Sequence, residues 1–488
     1  MFDIDKYLKK QKKYKHFDYR LANRRLFDEM KQESAVSSFR FLPYIRREFL
    51  TYRFNGKKIK KKPRNITLAS HGASLVYKVY AEKLKIIYEH RIEGTLISEA
   101  ATAYRSSTKT IKRSNIHAAK EVFDFISNQD VAYVIKGDFK AFFDTLNHRY
   151  LKRSLQKLFN VDHLPDDWYA VLKSLTKYEY INFEELNQLT ANLSKSNEPA
   201  YFRNRKQFSK FYKKNSEKFH LNKVGIPQGT SLSALLANVY MMEFDFAIST
   251  LVQKYGGIFR RYSDDFVIVL SGKSLTLQDA KNIKDLVIHK SSDMLSLTVE
   301  KSKTDFYIFS NAHLFSLDGR SAMMDYLGFR FTGDEVFLRE KSIYKFAYRG
   351  NHAIDFLIRD FNDKKMAKLS EEEIDLKSFK KPVFDEHKNI IGWIAASEYH
   401  NNVRRKQIKL VKRKLKGKIK FRISTNHKKK YLSEKPAKRT FINYVNRAQK
   451  ILEDGAPNYS VLVLKQARRR VVKHQKRYHK GISNKSTE

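Results

Sequence analysis

The sequence predicts an α+β chain built on an antiparallel sheet, with basic helices towards its C-terminal end. Three observations lead there. Short apolar runs, Val131–Ile135, Ile258-Phe259 and Val267–Leu270, are bounded by turn-forming residues, as buried strands are. Elsewhere apolar residues recur at helical spacing, as at Leu75, Val76, Val79, Tyr80, Leu84 and Ile87. The last two runs flank Arg261-Tyr262-Ser263-Asp264-Asp265-Phe266, which reads as a hairpin with two carboxylates at its tip. Adjacent carboxylates repel and need solvent or a cation between them, so an acidic surface turn and a cation site are both open here.

The 488 residues allow two or three domains, and 42% hydrophobic with 13% aromatic content argues against wholesale disorder. A formal net charge of +45 is self-repelling without a polyanion, which points to nucleic acid, bound by an enzyme or by a ribosome-like packing protein. The absence of cysteine excludes disulfides, thiol catalysis and thiolate zinc sites. Met1–Arg20 is rich in Lys and Tyr, without the apolar core of a signal peptide, and no stretch approaches the roughly 18 apolar residues of a membrane span. A cytoplasmic location and no membrane partner are expected.

Residues 1–60 read as helical and end in the basic loop Gly56–Arg64, either a solvated turn or a phosphate grip. The Leu75–Ile87 helix follows. Ala103-Tyr104-Arg105 then opens a Ser-, Thr- and Lys-rich loop in which Arg105 is either a phosphate ligand or a surface charge, and a helix spans His117–Ile126. The Val131–Ile135 strand leads into Lys136-Gly137-Asp138, placing an acid at the carboxyl end of a core strand, as N-cap or as chemistry. Residues 150–220 are polar. They finish in a stretch where Arg203, Arg205, Lys206, Lys213 and Lys214 alternate with Phe202, Phe208, Phe211 and Tyr212. That pattern suits a nucleic-acid surface with stacking rings, or equally a solvated amphipathic helix. Gly225-Ile226-Pro227-Gln228-Gly229 fixes a loop before a helix with apolar Leu235, Leu236, Val239 and Met242. After the acidic hairpin come a helix at 277–295, then Lys303-Thr304, and a strand pair around Tyr326-Leu327-Gly328-Phe329. Residues 334–400 read as helices broken by a linker at 370–382, and 401–488 carries 28 Lys or Arg against 4 acids at helical apolar spacing.

The ordered series Asp138, Pro227-Gln228-Gly229, Tyr262-Ser263-Asp264-Asp265, Lys303-Thr304 and Tyr326–Phe329 resembles the polymerase core of reverse transcriptases over about residues 60–335. It is most similar to the bacterial enzymes of group II introns and retrons. The Tyr-Ser-Asp-Asp-Phe form, Tyr104-Arg105, Asn115–Lys120 and the long C-terminal part further resemble antiphage defence-associated members. The resemblance implies a right-hand polymerase: N-terminal extension and fingers at 1–130, palm at 131–333 with an insertion at 150–220, thumb at 334–400, and a basic helical region at 401–488. It implies two Mg²⁺ ions, with Mn²⁺ as a substitute, held by Asp138, Asp264 and Asp265 as catalytic acids.

It further implies that Arg64 and Arg105 meet a triphosphate and that Phe143 gates against a ribose 2′-hydroxyl. Gln228 would contact the incoming nucleotide and template, and Tyr326, Leu327, Gly328 and Phe329 would form a primer grip. Lys303 would protonate pyrophosphate or pair with nearby acids. The expected partners are an RNA template (a non-coding RNA), deoxynucleotides and a DNA product; a homo-oligomer is compatible. The long 150–220 interval departs from compact members, and the basic tail lacks the acid cluster of an RNase H site. Template-independent or protein-primed synthesis, with Tyr399, Tyr431, Tyr444, Tyr459 or Tyr478 as primer or simply as packing, and a non-catalytic maturase-like binder are the alternatives.

Overall fold

The computed structural model describes residues 3–483 except 12–13, 19–20, 55–58, 106–113, 192–199, 274, 301–303, 367–379, 385–389 and 396–417. They form two compact units, the first from Met1–Ser114, Gln129–Asn311 and Phe315–Arg320, the second from Asn115–Asn128, Ala312–Leu314 and Ser321–Glu488.

The strands of the first unit are β1 (Tyr44–Phe54), β2 (Ile59–Leu68), β3 (Val131–Asp138), β4 (Glu179–Asn182), β5 (His220–Leu221), β6 (Ile258–Tyr262), β7 (Asp265–Ser271) and β8 (Asp305–Ser310), and β9 (His313–Ser316) is divided between the two units at Leu314. The central sheet runs β6-β7-β3-β8-β9, and β3 pairs antiparallel with both β7 and β8. Val267, Ile268, Val269 and Leu270 are all buried, as a continuous apolar run demands. The helix Ser233–Gln253 packs here, with Phe244 meeting Phe139 and Phe259 at ring separations of 5.9 and 6.2 Å. By length and apolar composition alone this helix could cross a membrane, which amends the expectation that no stretch comes close; here it is mostly buried, as the core helix of the unit. Gly137 has no freedom to carry a side chain: a Cβ would lie 2.2 Å from the Phe266 ring.

The second sheet runs β2-β1-β4-β5. It corrects one expectation. Tyr44–Phe54 and Ile59–Leu68 are paired antiparallel strands rather than helix and loop, because aromatic and β-branched residues such as Tyr44, Ile45 and Phe49 favour strand. From the 150–220 segment, β4 extends this pair in parallel, Tyr44 opposite Tyr180. The N-terminal segment joins the same small core, Phe17 packing with Ile181, Tyr201, Phe202, Phe211 and Phe219.

The second unit contains the helix Asn115–Ser127, strands β10 (Met324–Tyr326), β11 (Phe329–Phe331), β12 (Glu335–Leu338), β13 (Lys380–Phe384), β14 (Ile390–Ala395) and β15 (Ser460–Val461), and helices Glu340–Met366, Lys418–Tyr431, Phe441–Glu453 and Val463–Ser483. Asn115–Ser127 leaves the N-terminal segment in which it was expected because its apolar face stacks Phe123 on Phe331 at 4.7 Å. The β13–β14 hairpin replaces part of the helical run expected at 334–400.

His16 is fully buried, its Nε2 bonded to the Leu68 carbonyl at 3.1 Å and its Nδ1 without a hydrogen-bond partner. Burial pushes its pKa down to about 3, against the opposing Leu68 hydrogen bond. Between about 3 and the unfolded value of 6.5 the unfolded chain therefore holds the extra proton, so this group's stability contribution is present above 6.5 and is lost as pH falls. Unfolding free energies from urea titrations between about pH 4 and 7 should drop with acidification by up to about 1.4 kcal/mol per pH unit more in the native protein than in His16→Gln. Asp18, whose carboxyl burial pushes up, lies 3.7 Å from His16 Nδ1 and acts with the opposite sign, so a double-mutant cycle of His16→Gln with Asp18→Asn separates the two contributions.

Candidate active site

Asp138 closes β3 and Asp265 opens β7, and the two are direct cross-strand partners. Directly opposed residues of an antiparallel pair project from the same face, roughly 5 Å apart at Cβ. Tyr262 in turn opposes Asp265, which leaves Ser263 and Asp264 as the two-residue turn between β6 and β7. Backbone bonds lock the junction: Phe139 N donates to the Asp264 carbonyl at 3.0 Å, and Glu300 N to that of Asp138 at 2.8 Å. The three expected acids thus meet at one strand junction. Among the described residues no three His, Asp or Glu side chains form a ready-made metal cage. A facing carboxylate pair with a third acid beside it is nonetheless a hard-oxygen donor set, which suits Mg²⁺ because that ion keeps positions for phosphate and water.

The turn is fastened from beneath. Ser263 sits at φ +64°, a left-handed conformation costly for a residue with a Cβ. Arg261, wholly buried, donates Nη1 to the Ser263 carbonyl at 3.0 Å. Its Nε and Nη2 reach both oxygens of buried Asp245 at 2.8 and 2.6 Å, and Nη1 and Nη2 also reach Asn238 Oδ1 at 3.3 and 3.2 Å. Burial pushes the Asp245 carboxyl up, and the Arg261 charge and hydrogen bonds pull against that push.

A second wall follows Asp138. The chain reverses at Ala141, φ +49°, buries Phe142 and leaves Phe143 half-buried. The Phe143 carbonyl accepts from Ile226 N at 2.8 Å, and Gly225 N donates to Leu146 at 3.0 Å. Gly225 itself, at φ +73°, lies so close that a Cβ would be 2.6 Å from the Asp144 backbone. Gln228 Nε2 donates to both Asp144 oxygens at 3.3 Å. Burial pushes the Asp144 carboxyl up, opposed by Gln228 and then Arg46. The expected sugar gate and the expected nucleotide contact are therefore strapped into one wall.

Other expected residues fall differently. Arg64 is exposed on β2 rather than in a loop. Arg105 is corrected: its side chain is 2% exposed, its fork is engaged by Glu89 (Nη2 to Oε2, 2.5 Å), and Nη1 donates to the Ser98 carbonyl, so it braces the fold instead of facing a triphosphate. Lys303 lies outside the described residues. Tyr326 and Phe329 are buried in the second unit, and Leu327 and Gly328, both at positive φ, make the turn between them. In the 201–220 stretch Phe202 and Phe211 are buried and Phe208 and Tyr212 half-buried, packing on the small core around Phe17, while Arg203, Arg205, Lys206, Lys213 and Lys214 are exposed.

Of the tyrosines named as primers, Tyr399 lies outside the described residues. Tyr459 is buried with its hydroxyl donating to Asp124 at 2.7 Å, its pKa pushed up by burial, and the Tyr444 hydroxyl accepts from Asn115 at 3.1 Å. The Tyr459 hydroxyl is thereby committed to a carboxylate inside the fold. Asn238, Asp245 and Asp144 were not singled out from sequence, and Tyr104 was named there only beside Arg105, with no role. Two polar residues seven apart, on the face of a helix that is otherwise mostly apolar, were the available signal for the first pair.

Residues 56–331 match the family described as Reverse transcriptase (RNA-dependent DNA polymerase). No curated protein matches the chain. Among solved structures, apo telomerase from Candida tropicalis truncated from its C-terminal domain is similar at 14% identity and TM-score 0.39, covering 60% of this chain and 55% of that one. Telomerase from Candida albicans in complex with a TWJ fragment of telomeric RNA is similar at 13% identity and TM-score 0.40, covering 90% of this chain and 63% of that one. The chain spans less than two thirds of the length of either structure.

Arg261→Ala should cost about 3–5 kcal/mol in denaturant unfolding, because it strands the Asp245 carboxylate in the core. Replacing both partners, Arg261→Met with Asp245→Leu, should recover most of that loss in the same measurement.

Proposed function

Because the chain belongs to the reverse transcriptase family, we propose that it is an RNA-directed DNA polymerase whose acids are Asp138, Asp264 and Asp265. The observation that carries this is the cross-strand register of Asp138 with Asp265, with Asp264 in the adjoining turn. Mg²⁺, or Mn²⁺ in its place, would be held by these carboxylates and, when bound, supplies activation of a primer hydroxyl and charge for the leaving pyrophosphate. The protein's own part is placement. Phe143, half-buried and backed by Phe142 at a ring separation of 5.3 Å, crowds the sugar side and favours deoxynucleotides. Gln228, oriented by Asp144, offers its amide to the nucleotide and template. Exposed Arg64 supplies a cationic fork for phosphate.

The finer reading is a defence-associated enzyme, acting in the cytoplasm, that copies a bound non-coding RNA. It is supported by the Tyr262–Phe266 form and the Asn115–Lys120 stretch, and the +45 charge suits an RNA partner. Protein-primed synthesis draws no support from Tyr444 or Tyr459, whose hydroxyls are engaged.

Primer extension with labelled deoxynucleotides, an RNA template and Mg²⁺ should give templated product that Asp264→Asn with Asp265→Asn lowers by about a thousandfold or more. Product of unrelated sequence, or extension without template, would remove the templated reading. Phe143→Ala should raise ribonucleotide incorporation relative to deoxynucleotide about tenfold or more. Sequencing nucleic acid that co-purifies from the host should return one discrete RNA with its complementary DNA; a broad sample of transcripts would overturn the dedicated-template reading.

A further inference from the structure

The segment Ala101–Arg105 lies along β6 as a strap over the acidic turn. Ala101 bridges to Arg261 in parallel, and both Thr102 N and Thr102 Oγ1 donate to the Arg261 carbonyl at 2.9 Å. Asn238, already an acceptor for the Arg261 guanidinium, turns its amide nitrogen to the Ala103 carbonyl at 2.9 Å. At the far end Arg105 is clamped by Glu89, Ser98 and Ala101. The residue between these two holds is Tyr104.

Tyr104 has two features that its fixings do not require. Its backbone is left-handed at φ +61°, a region that bulky side chains avoid. The residue is 49% exposed, so little core packing is gained in return. What the conformation achieves is a hydrogen bond: Tyr104 Oη donates to Ser263 Oγ at 3.1 Å. Ser263, at φ +64°, is itself left-handed and occupies the turn directly before Asp264. Two unfavourable backbones are thus joined through their side chains at the point where the acids leave the sheet. Ser263 is held on both sides, its carbonyl from within by Arg261 and its hydroxyl from without by Tyr104.

We propose that Tyr104 is a positioning residue for the acidic turn: its hydroxyl latches the strap onto Ser263 and so sets where Asp264 and Asp265 point. Tyr104 touches no reacting atom in this role and acts through Ser263. The inference rests on the reading of Asp264 and Asp265 as the polymerase acids. It adds a residue that neither the acidic motif nor the charge pattern marks.

Tyr104→Phe keeps the ring and deletes only the donor, and Ser263→Ala deletes only the acceptor. Each should lower kcat for deoxynucleotide incorporation about threefold to tenfold with the nucleotide KM unchanged, the range expected for one lost hydrogen bond. Each should weaken Mn²⁺ binding by a similar factor, read from the free-ion electron paramagnetic resonance signal without substrate. The thermal midpoint should stay at the wild-type value, and the double variant should be no worse than either single one. Wild-type kcat and Mn²⁺ binding in both variants would overturn the proposal, as would additive losses or losses that track a falling midpoint. A wild-type protein that incorporates no nucleotide, yet loses Mn²⁺ affinity in both variants, would overturn the polymerase reading and leave the latch standing.

Discussion

An arginine taken wholly out of water beneath a sharp turn constrains everything built above it. The Arg261 guanidinium can stay charged in the core only if its donors are matched, and Asp245, Asn238 and the Ser263 carbonyl match them. Two of these partners ride on the helix Ser233–Gln253, so the packing of that helix is coupled to the placement of the turn. The third is the backbone of the turn itself, held in a conformation it would not choose alone. Desolvation and strain are both unfavourable taken singly, and each is offset by the other's hydrogen bonds. The acids then inherit their positions: Asp264 and Asp265 from the turn, Asp138 from the β3–β7 register. Gly137 serves the same register, since only a missing side chain admits the Phe266 ring next to Asp138.

Much of this core was legible in the sequence, and the reason is periodicity. The Val131–Ile135 and Val267–Leu270 runs are short, rich in β-branched residues and bounded by turn-forming residues, which favours buried strands, and each has an acid just beyond one end. The meeting of the three acids was what the resemblance to reverse transcriptases implied, whereas the strands could be read from those lines. The sheet that carries Arg64 could not. Its strands β4 and β5 are two to four residues long and polar, Glu179–Asn182 and His220–Leu221, so nothing in their pattern marks them as strands. They exist because the hairpin β1–β2 offers an edge. Asn115–Ser127 is the converse case: its helical period is plain, but the unit it joins is decided by which aromatic residues meet Phe123.

Cations were the least legible residues. Arg105 and Arg261 read from sequence as two more charges in a basic chain, yet both are buried and paired. Exposed Arg203, Arg205 and Lys206 are indistinguishable from them by composition. Burial of a charge depends on acids remote in sequence, Glu89 for Arg105 and Asp245 for Arg261, and no local window contains both members of either arrangement. The aromatic residues among the cations at 201–220 were ambiguous for the same reason: a ring that packs on Phe17 and a ring that faces solvent have identical neighbours in the chain.

The parallel pairing of β1 with β4 has a consequence for how the molecule is made. Tyr44 to Arg46 meet Tyr180 to Asn182 only after the whole of the intervening chain has been synthesised, including the strand that ends in Asp138. The local hairpin can close early, but its outer edge stays open on the ribosome until the later segment arrives, and such long-range pairing is slow. Open edges invite wrong partners. Arg46 and Arg47 sit on that edge, and in the finished protein they lie over Tyr180 and Phe183, the rings that arrive with the late strand. Charge on an open edge disfavours self-association as a general rule, and here the same two cations end as the seats of the rings that come with the later segment.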